Sequence, residues 1–186
     1  MNRDAAVRER RPPIYDAQQL AGQIKDLSGR GELSKQFYSN YLVEIPWCQG
    51  DVIELSTQFA YIDQDGDPSV LDGLSCKYWL LMSNTCDLAR DLSNVRWANL
   101  IPLLEVQPTI EELAVLQQYT QSRKFYAPPW ASEIQHMVAE FTMPITVDRR
   151  GLDGRGVRAA RMSEIAWYLF HSCIVRYLAR DDGRLD

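Results

Sequence analysis

The sequence predicts one domain of the α+β class, in which a small β-barrel is wrapped by N-terminal and C-terminal helices. Three apolar runs rich in β-favouring residues, at 50–55, 77–83 and 97–106, are separated by turn-forming segments. A helical stripe of apolar residues occupies the C-terminal region. The 186 residues suffice for one core with a helical annex. We therefore assign residues 45–106 to the barrel and residues 107–186 to elements that complete it.

The N-terminal region is predicted to hold a flexible segment and then a short helix. Residues 1–15 include Pro12-Pro13, and we expect them to be flexible. Asp16 is suited to cap the helix that follows. Its apolar face and the glycines that end it are Leu20, Ile24 and Leu27, then Gly29 and Gly31.

The segment from Leu33 to Val43 has two interpretations. It fits a helix capped by Ser34, and it fits a strand over 38–45 nearly as well. Pro46 ends either element.

The barrel strands follow from apolar runs that are too continuous to be half exposed. Asp51–Ile62 alternates in part, and 63–68 reads as a solvated hairpin loop because its carboxylates lack the order of a calcium loop. Lys77–Ser83 and Leu100–Val106 are apolar at nearly every position, which is typical of strands buried on both faces.

The second half is predicted to alternate helix and strand. Pro108 opens a helix with an acidic first turn, and we expect Lys124 near its end. An extended connector, 125–130, follows. Residues 136–147 predict one or two strands, with Pro144 at an edge or a bulge.

The final helix carries the clearest helical signal in the chain. Ser163 is the predicted N-cap, and Asp181-Asp-Gly ends the helix. The apolar stripe at the 3.6-residue period is Ile165, Ala166, Leu169, Phe170, Cys173, Ile174, Tyr177 and Leu178. A stripe this wide predicts burial against the barrel or against another chain.

Composition excludes several classes of protein. The 46% apolar content is ordinary for a globular domain, and no apolar run reaches membrane-spanning length. The N-terminus lacks the apolar core of a secretory signal, and the four cysteines show neither metal spacing nor disulfide density. These features predict a cytoplasmic protein with no metal and no cofactor. The net charge of −5 argues against a surface devoted to nucleic acid.

Positive charge is nevertheless concentrated in two places. One is the N-terminus, with Arg3, Arg8, Arg10 and Arg11. The other is a late segment with Arg149, Arg150, Arg155, Arg158 and Arg161. Glycines within the segment favour a loop, which predicts a contact with an acidic protein surface or a phosphate backbone. The alternative interpretation is an ordinary solvated loop.

The central block resembles the PemK/MazF toxin family. Gly50-Asp51-Val52-Ile53 matches the strand with which those proteins open. Leu80-Leu81-Met82-Ser83 matches their apolar strand that closes in Ser or Thr, and Leu100-Ile101-Pro102-Leu103 matches their strand with a central proline. The resemblance covers residues 45–106, a third of the chain. It implies an SH3-like barrel, RNA cleavage and pairing with an antitoxin.

The candidate catalytic residues follow from that resemblance. Asp51, Lys77 and Ser83 fall on the family's landmarks, and Asp87 adds a second carboxylate. The family's Arg-Pro before the apolar strand is replaced here by Lys77-Tyr78, and lysine lacks the bidentate fork of arginine. The long C-terminal half has no counterpart in a minimal toxin.

Two functions are therefore expected in order of preference. The first is a bacterial interaction or regulatory subunit from a phage-defence or toxin–antitoxin locus, without robust catalysis. It would bind a protein partner or form a homo-oligomer, with no role at a membrane. The alternative is a metal-independent endoribonuclease of the PemK/MazF kind, whose partner is RNA.

Cys86 beside Asp87 has a structural and a chemical interpretation. A nucleophilic cysteine needs a neighbouring cation or helix N-terminus to lower its pKa, and an adjacent carboxylate acts in the opposite direction. We therefore expect a buried thiol at Cys86 and Asp87 as the N-cap of a short helix.

Overall fold

The computed structural model describes residues 17–39 and 47–179. In chain order, its elements are α1 (Ala17–Ser28), α2 (Gly31–Lys35), β1 (Asp51–Ile62), β2 (Pro68–Leu81), α3 (Thr85–Leu88), β3 (Trp97–Val106), α4 (Ile110–Gln117), β4 (Lys124–Ala127), β5 (His136–Glu140), β6 (Ile145–Asp148), α5 (Arg149–Arg155), β7 (Val157–Arg161) and α6 (Glu164–Leu178). The chain is therefore a mixed α+β protein, as predicted. The predicted flexible segment 1–15 and the cap Asp16 lie outside the described residues.

The three predicted strand runs pair as antiparallel neighbours in one curled sheet that forms a half-barrel. The strand order is β4-β5-β3-β2-β1-β7. β6 pairs with residues 97–100 of β3 and β5 with residues 103–106, on the side of β3 away from β2. Pro102 lacks an N–H and falls at the gap between β5 and β6, where no ladder bond is lost.

The β1–β2 hairpin closes through a self-contained turn. The Asp63 carboxylate accepts hydrogen bonds from the N–H groups of Asp65 and Asp67 and from the Ser69 hydroxyl. These hydrogen bonds lower the pKa of Asp63, and the one from the Asp67 N–H contributes most, ahead of the one from Ser69. The prediction of a hairpin loop at 63–68 is confirmed.

Both faces of the central strands are buried, which explains their continuous apolar sequence. One face packs against α1 and α6, and its strand residues include Val52, Leu80 and Ile101. The opposite face packs against α3 and α5, and its strand residues include Ile53, Trp79 and Leu100. Trp79 satisfies its indole N–H through the Leu55 carbonyl at 2.9 Å.

Helix α6 is the main helical component of the core. The Ser163 hydroxyl accepts a hydrogen bond from the Ala166 N–H, so the predicted N-cap is confirmed. Leu169 and Phe170 are completely buried, and the Phe170 ring contacts Phe125 with 4.9 Å between centroids. Only the end of the predicted stripe is wrong, because Leu178 is exposed.

Several predicted boundaries are corrected by the structure. Helix α4 ends at Gln117, and Tyr119 then adopts a φ of 52° that turns the chain, so Lys124 begins β4 instead of closing the helix. Gly31 opens α2, and within the described part of the ambiguous segment residues 33–35 are helical whereas 36–39 are not. Residues 40–46 lie outside the described residues. Residues 136–147 do form two strands, separated at Pro144.

Candidate functional site

The loop Trp47–Asp51 leads into β1 and contacts α6. It holds a cluster of polar side chains around the predicted catalytic residue Asp51. Asp51 is completely buried. Its carboxylate accepts hydrogen bonds from Arg158 Nε at 3.0 Å, from Arg161 Nε at 2.8 Å and from the Cys48 N–H at 2.9 Å. Two guanidinium groups and a backbone donor compensate the cost of burying this charge. The hydrogen bond to Asp51 raises the pKa of Arg161.

Gly50 sets the path of this loop. Its φ of +88° lies in the region that favours glycine, and an added Cβ would lie 3.0 Å from Met162 Sδ. Its N–H donates to the Leu81 carbonyl at 2.9 Å. The glycine therefore brings Asp51 and its loop against both the end of β2 and the start of α6.

Gln49 connects the loop to two other elements. Its side-chain nitrogen Nε2 donates to the carbonyl of Met82, the residue just after β2, at 2.8 Å. Its amide oxygen accepts from Trp167 Nε1 at 3.2 Å and lies 3.1 Å from His171 Nδ1, both on α6. Burial lowers the pKa of His171, so the neutral imidazole is favoured beside this buried amide.

An aromatic–cation contact forms the outer side of the cluster. The Arg158 guanidinium lies 5.0 Å from the centre of the Trp47 ring, and Trp47 Nε1 donates to Asp153 at 2.9 Å. This contact is the part of the cluster that is suited to a ligand, because aromatic rings and arginine guanidinium planes both stack on planar bases.

The segment after β2 does not have the predicted arrangement. Ser83 Oγ accepts a hydrogen bond from the Asn99 N–H at 2.8 Å, so this hydroxyl helps to hold β3 beside the end of β2. Asn84 occupies the N-cap position of α3, whereas Asp87 lies inside the helix and pairs with Arg90 at 3.5 Å. Cys86 is exposed. The predictions of a buried Cys86 and of Asp87 as N-cap are therefore wrong.

Lys77 lies away from two of the other candidate catalytic residues, Ser83 and Asp87. Its ammonium group pairs with Glu54 at 3.2 Å and lies 5.0 Å from the centre of the Tyr78 ring. Ser83 lies six positions after Lys77 along nearly extended chain, which places their Cα atoms about 20 Å apart. Ser83 and Asp87 lie together after β2, and the structure does not bring Lys77 to them.

The arginine-rich segment is a helix and a strand, α5 and β7, and the predicted loop is wrong. Arg149 is buried, and its guanidinium donates to the carbonyls of Leu88, Arg90 and Val95 at 2.6–2.9 Å, which ties the segment after α3 to α5. Arg158 and Arg161 bind Asp51. Of the five arginines, these three have roles within the fold.

The two remaining arginines are exposed. Arg150 pairs with Asp148, which Arg96 also contacts, and these guanidinium groups hold the pKa of Asp148 well below its usual range. Arg155 is the other exposed arginine of the segment. Gly156 lies next to it, but an added Cβ there would lie 2.7 Å from the Leu152 carbonyl oxygen. Its small size therefore serves packing inside the protein.

The described residues contain no cluster of three or more His, Cys, Asp or Glu side chains that could hold a metal ion. The Tyr126 hydroxyl lies 2.7 Å from His136 Nδ1, and His171 contacts Gln49, so each histidine has a partner within the protein. None of the four cysteines forms a disulfide.

Comparison with family models, curated proteins and solved structures finds no match to this chain. Across residues 17–39 and 47–179, no helix combines the length and the hydrophobicity that crossing a membrane requires.

Sequence reasoning missed the central residues of this cluster. Gln49 and Trp47 carry no signal of their own, because a single glutamine or tryptophan before a strand is unremarkable in composition. The one usable signal was Gly50-Asp51, a glycine followed by a carboxylate at the first position of an apolar strand. A carboxylate at that point predicts either that the start of the strand is exposed to solvent or that a buried cation pairs with the carboxylate. The arginines that pair with Asp51 lie more than a hundred residues later in the sequence.

Proposed function

We propose that this protein is an interaction subunit built on an SH3-like barrel of the PemK/MazF type, without robust nuclease activity. The observation that carries the proposal is the use of the candidate catalytic side chains within the fold. Asp51 is buried between two arginines and Ser83 accepts a backbone hydrogen bond, while Lys77 is exposed, pairs with Glu54 and lies away from Ser83. A catalytic base or phosphate-binding cation must instead face substrate.

The strand arrangement supports the SH3-like assignment. Five strands are antiparallel neighbours in the spatial order β6-β3-β2-β1-β7. In chain order, β1, β2, β3 and β6 form a meander, and after the short helix α5 the chain returns so that β7 pairs with β1. A small SH3-like barrel has this strand order. On this interpretation residues 107–144, which contain α4, β4 and β5, are an insertion carried by β3.

The positions of the segments that resemble the family's landmarks also support the proposal. Gly50-Asp51 begins β1, Ser83 follows β2 and Pro102 lies within β3. These three strands are neighbours. Their positions support a common barrel plan, and the absence of the Arg-Pro pair before the apolar strand favours a form of that barrel adapted to binding.

An RNA-cleavage assay tests the proposal. We expect purified protein, incubated with long single-stranded RNA and a chelator, to leave the RNA intact. Cleavage that disappears in Lys77→Ala and Ser83→Ala but persists in Lys124→Ala, an exposed lysine elsewhere, would establish the endoribonuclease instead.

The endoribonuclease remains the second candidate because of one contact. The Arg158–Trp47 pair sets a cation over an aromatic face beside the segment that follows β2. Single-stranded RNA is bound by such surfaces through stacking and charge. If the enzyme is the correct assignment, Trp47→Ala should lower cleavage together with RNA binding. Neighbouring genes are a separate test: an adjacent antitoxin-like frame favours the toxin, and an adjacent large ATPase or nuclease favours a subunit of a defence system.

A further inference from the structure

A groove of about 620 Å³ lies between α4 and the strands β3 and β5. Its apolar lining, which defines the α4 groove, is Leu104, Val106, Val115, Leu116 and Val138. Leu104 and Val106 alternate along β3 onto one side of the sheet, and Val138 pairs directly with Leu104. The groove therefore has a floor of sheet side chains and a wall of helix side chains.

Helix α4 does not bury any of its residues, although half of them are large and apolar. Ile110 is 85% exposed and Val115 is 43% exposed. An eight-residue helix is too short to be stable by itself, and an amphipathic helix normally buries its apolar side. Its N-terminus is held by a capping box, in which Thr109 and Glu112 exchange side-chain and backbone hydrogen bonds. The helix is thus fixed at its start and packs Leu113 and Leu116 against the core, but it leaves Ile110 and Val115 exposed.

The rim of the α4 groove is acidic. Glu111, Glu112 and Glu140 line it, with Lys124 as the cation among the lining residues. Glu112 accepts from the Thr109 N–H and Glu140 accepts from the Thr142 hydroxyl, so both carboxylates are held in place. A negative rim around an apolar floor attracts a cationic partner and repels the phosphates of nucleic acid.

We propose that the α4 groove binds an amphipathic helix of a partner protein, with apolar side chains toward the floor and lysine or arginine along its borders. The inference rests on the proposed role as an interaction subunit and names the partner's chemistry. A helix fits better than an added strand, because Phe125, Tyr126 and Ala127 of the terminal strand β4 are buried. Helices in such grooves insert apolar side chains spaced by three or four residues.

The test uses the full chain and two labelled probe peptides in fluorescence anisotropy. Both are amphipathic helices with the same leucine positions, and the polar positions are lysine in one and glutamate in the other. We expect saturable binding of the leucine–lysine peptide, at least about tenfold tighter than binding of the leucine–glutamate peptide. Absence of saturable binding, or tighter binding of the glutamate peptide, overturns the inference.

A matched pair of variants locates the binding. Val115 in the groove and Val157 on β7 are both exposed valines, so Val115→Asp and Val157→Asp make the same chemical change at two places. Val115→Asp should weaken the leucine–lysine peptide by about tenfold or more, and Val157→Asp should leave it unchanged. Equal effects of the two variants would place the binding elsewhere and overturn the inference.

A charge reversal completes the test. Glu111→Lys/Glu140→Lys should weaken the lysine peptide and strengthen the glutamate peptide, and this exchange of preference cannot arise from unfolding. Unchanged preference overturns the assigned partner chemistry. If the protein leaves RNA intact but binds no peptide, only the inference about the α4 groove is overturned. If the protein cleaves RNA, the proposed function is overturned, whatever the result of the peptide assay.

Discussion

Helices α4 and α6 have similar local sequences and opposite environments. Each begins at a hydroxyl N-cap, Thr109 or Ser163, with acidic residues in its first turn. Each is rich in apolar residues. Yet α6 has seven buried residues and α4 has none.

The difference shows that local signals form a helix but do not decide what covers it. Helix α6 lies between α1 and the sheet and completes one hydrophobic cluster. Helix α4 packs Leu113 and Leu116 against that cluster but buries neither completely, and it ends at Gln117, just before the turn at Tyr119. Apolar residues that stay exposed on a well-capped helix indicate a partner more strongly than apolar composition does.

The largest expected effect is on the stability contributed by α6, the helix that packs in the core. Phe170→Ala should lower the free energy of unfolding by about 3–5 kcal/mol, because the ring is fully buried against Phe125 and Phe141. Val115→Ala in α4 should change it by less than about 0.5 kcal/mol. Urea unfolding of both variants measures the difference, and similar costs would show that α4 contributes to the core after all.

The buried ion pairs beside the start of α6 should show the second effect. Asp51→Ala leaves Arg158 and Arg161 without their buried partner and should cost about 3–5 kcal/mol. Asp148→Ala removes a partly exposed aspartate that also binds two arginines and caps α5, and it should cost only about 1 kcal/mol. Thermal melts distinguish them, and a stable Asp51→Ala would mean that the two arginines find other partners.

The N-caps give a smaller and more local comparison. Ser163→Ala should cost about 1 kcal/mol of global stability, because α6 unfolds only with the core. Thr109→Ala should leave global unfolding nearly unchanged and speed amide hydrogen exchange in 110–117, since α4 opens by itself. Equal protection of this segment in parent and variant would contradict an independent α4.

The smallest expected effect is a pH dependence within α6. Burial lowers the pKa of His171 below its ordinary value of 6.5, so the unfolded chain binds the proton first as pH falls. The stabilisation is complete above pH 6.5 and is lost as pH falls through the lowered pKa. The parent should therefore lose more stability than His171→Gln between about pH 7 and pH 5.5, measured by urea unfolding. Parallel losses would contradict a buried neutral imidazole.

Much of the fold could be predicted because its signals are local. Strands β1, β2 and β3 are apolar on both faces, and Ser163 marks the start of α6. Which arginines serve the fold could not be predicted, since Arg149 and Arg150 are neighbours of identical type, yet one is buried and the other is exposed. Which arginine is buried depends on β6 and α5 lying beside the segment after α3, and this long-range arrangement has no counterpart in local sequence.

The pairing of β1 with β7 has a consequence for the order of events during synthesis. Asp51 and its partners Arg158 and Arg161 are separated by 107 and 110 residues. While the chain emerges from the ribosome, β1 is made early, but the guanidinium groups that allow its carboxylate to leave water arrive much later. Contacts this distant in sequence slow folding, because a long loop must close first. We expect nascent chains stalled before residue 158 to remain sensitive to protease across 51–106. In chains that have emerged through residue 179, the strands within 51–106 should become resistant to protease all at once.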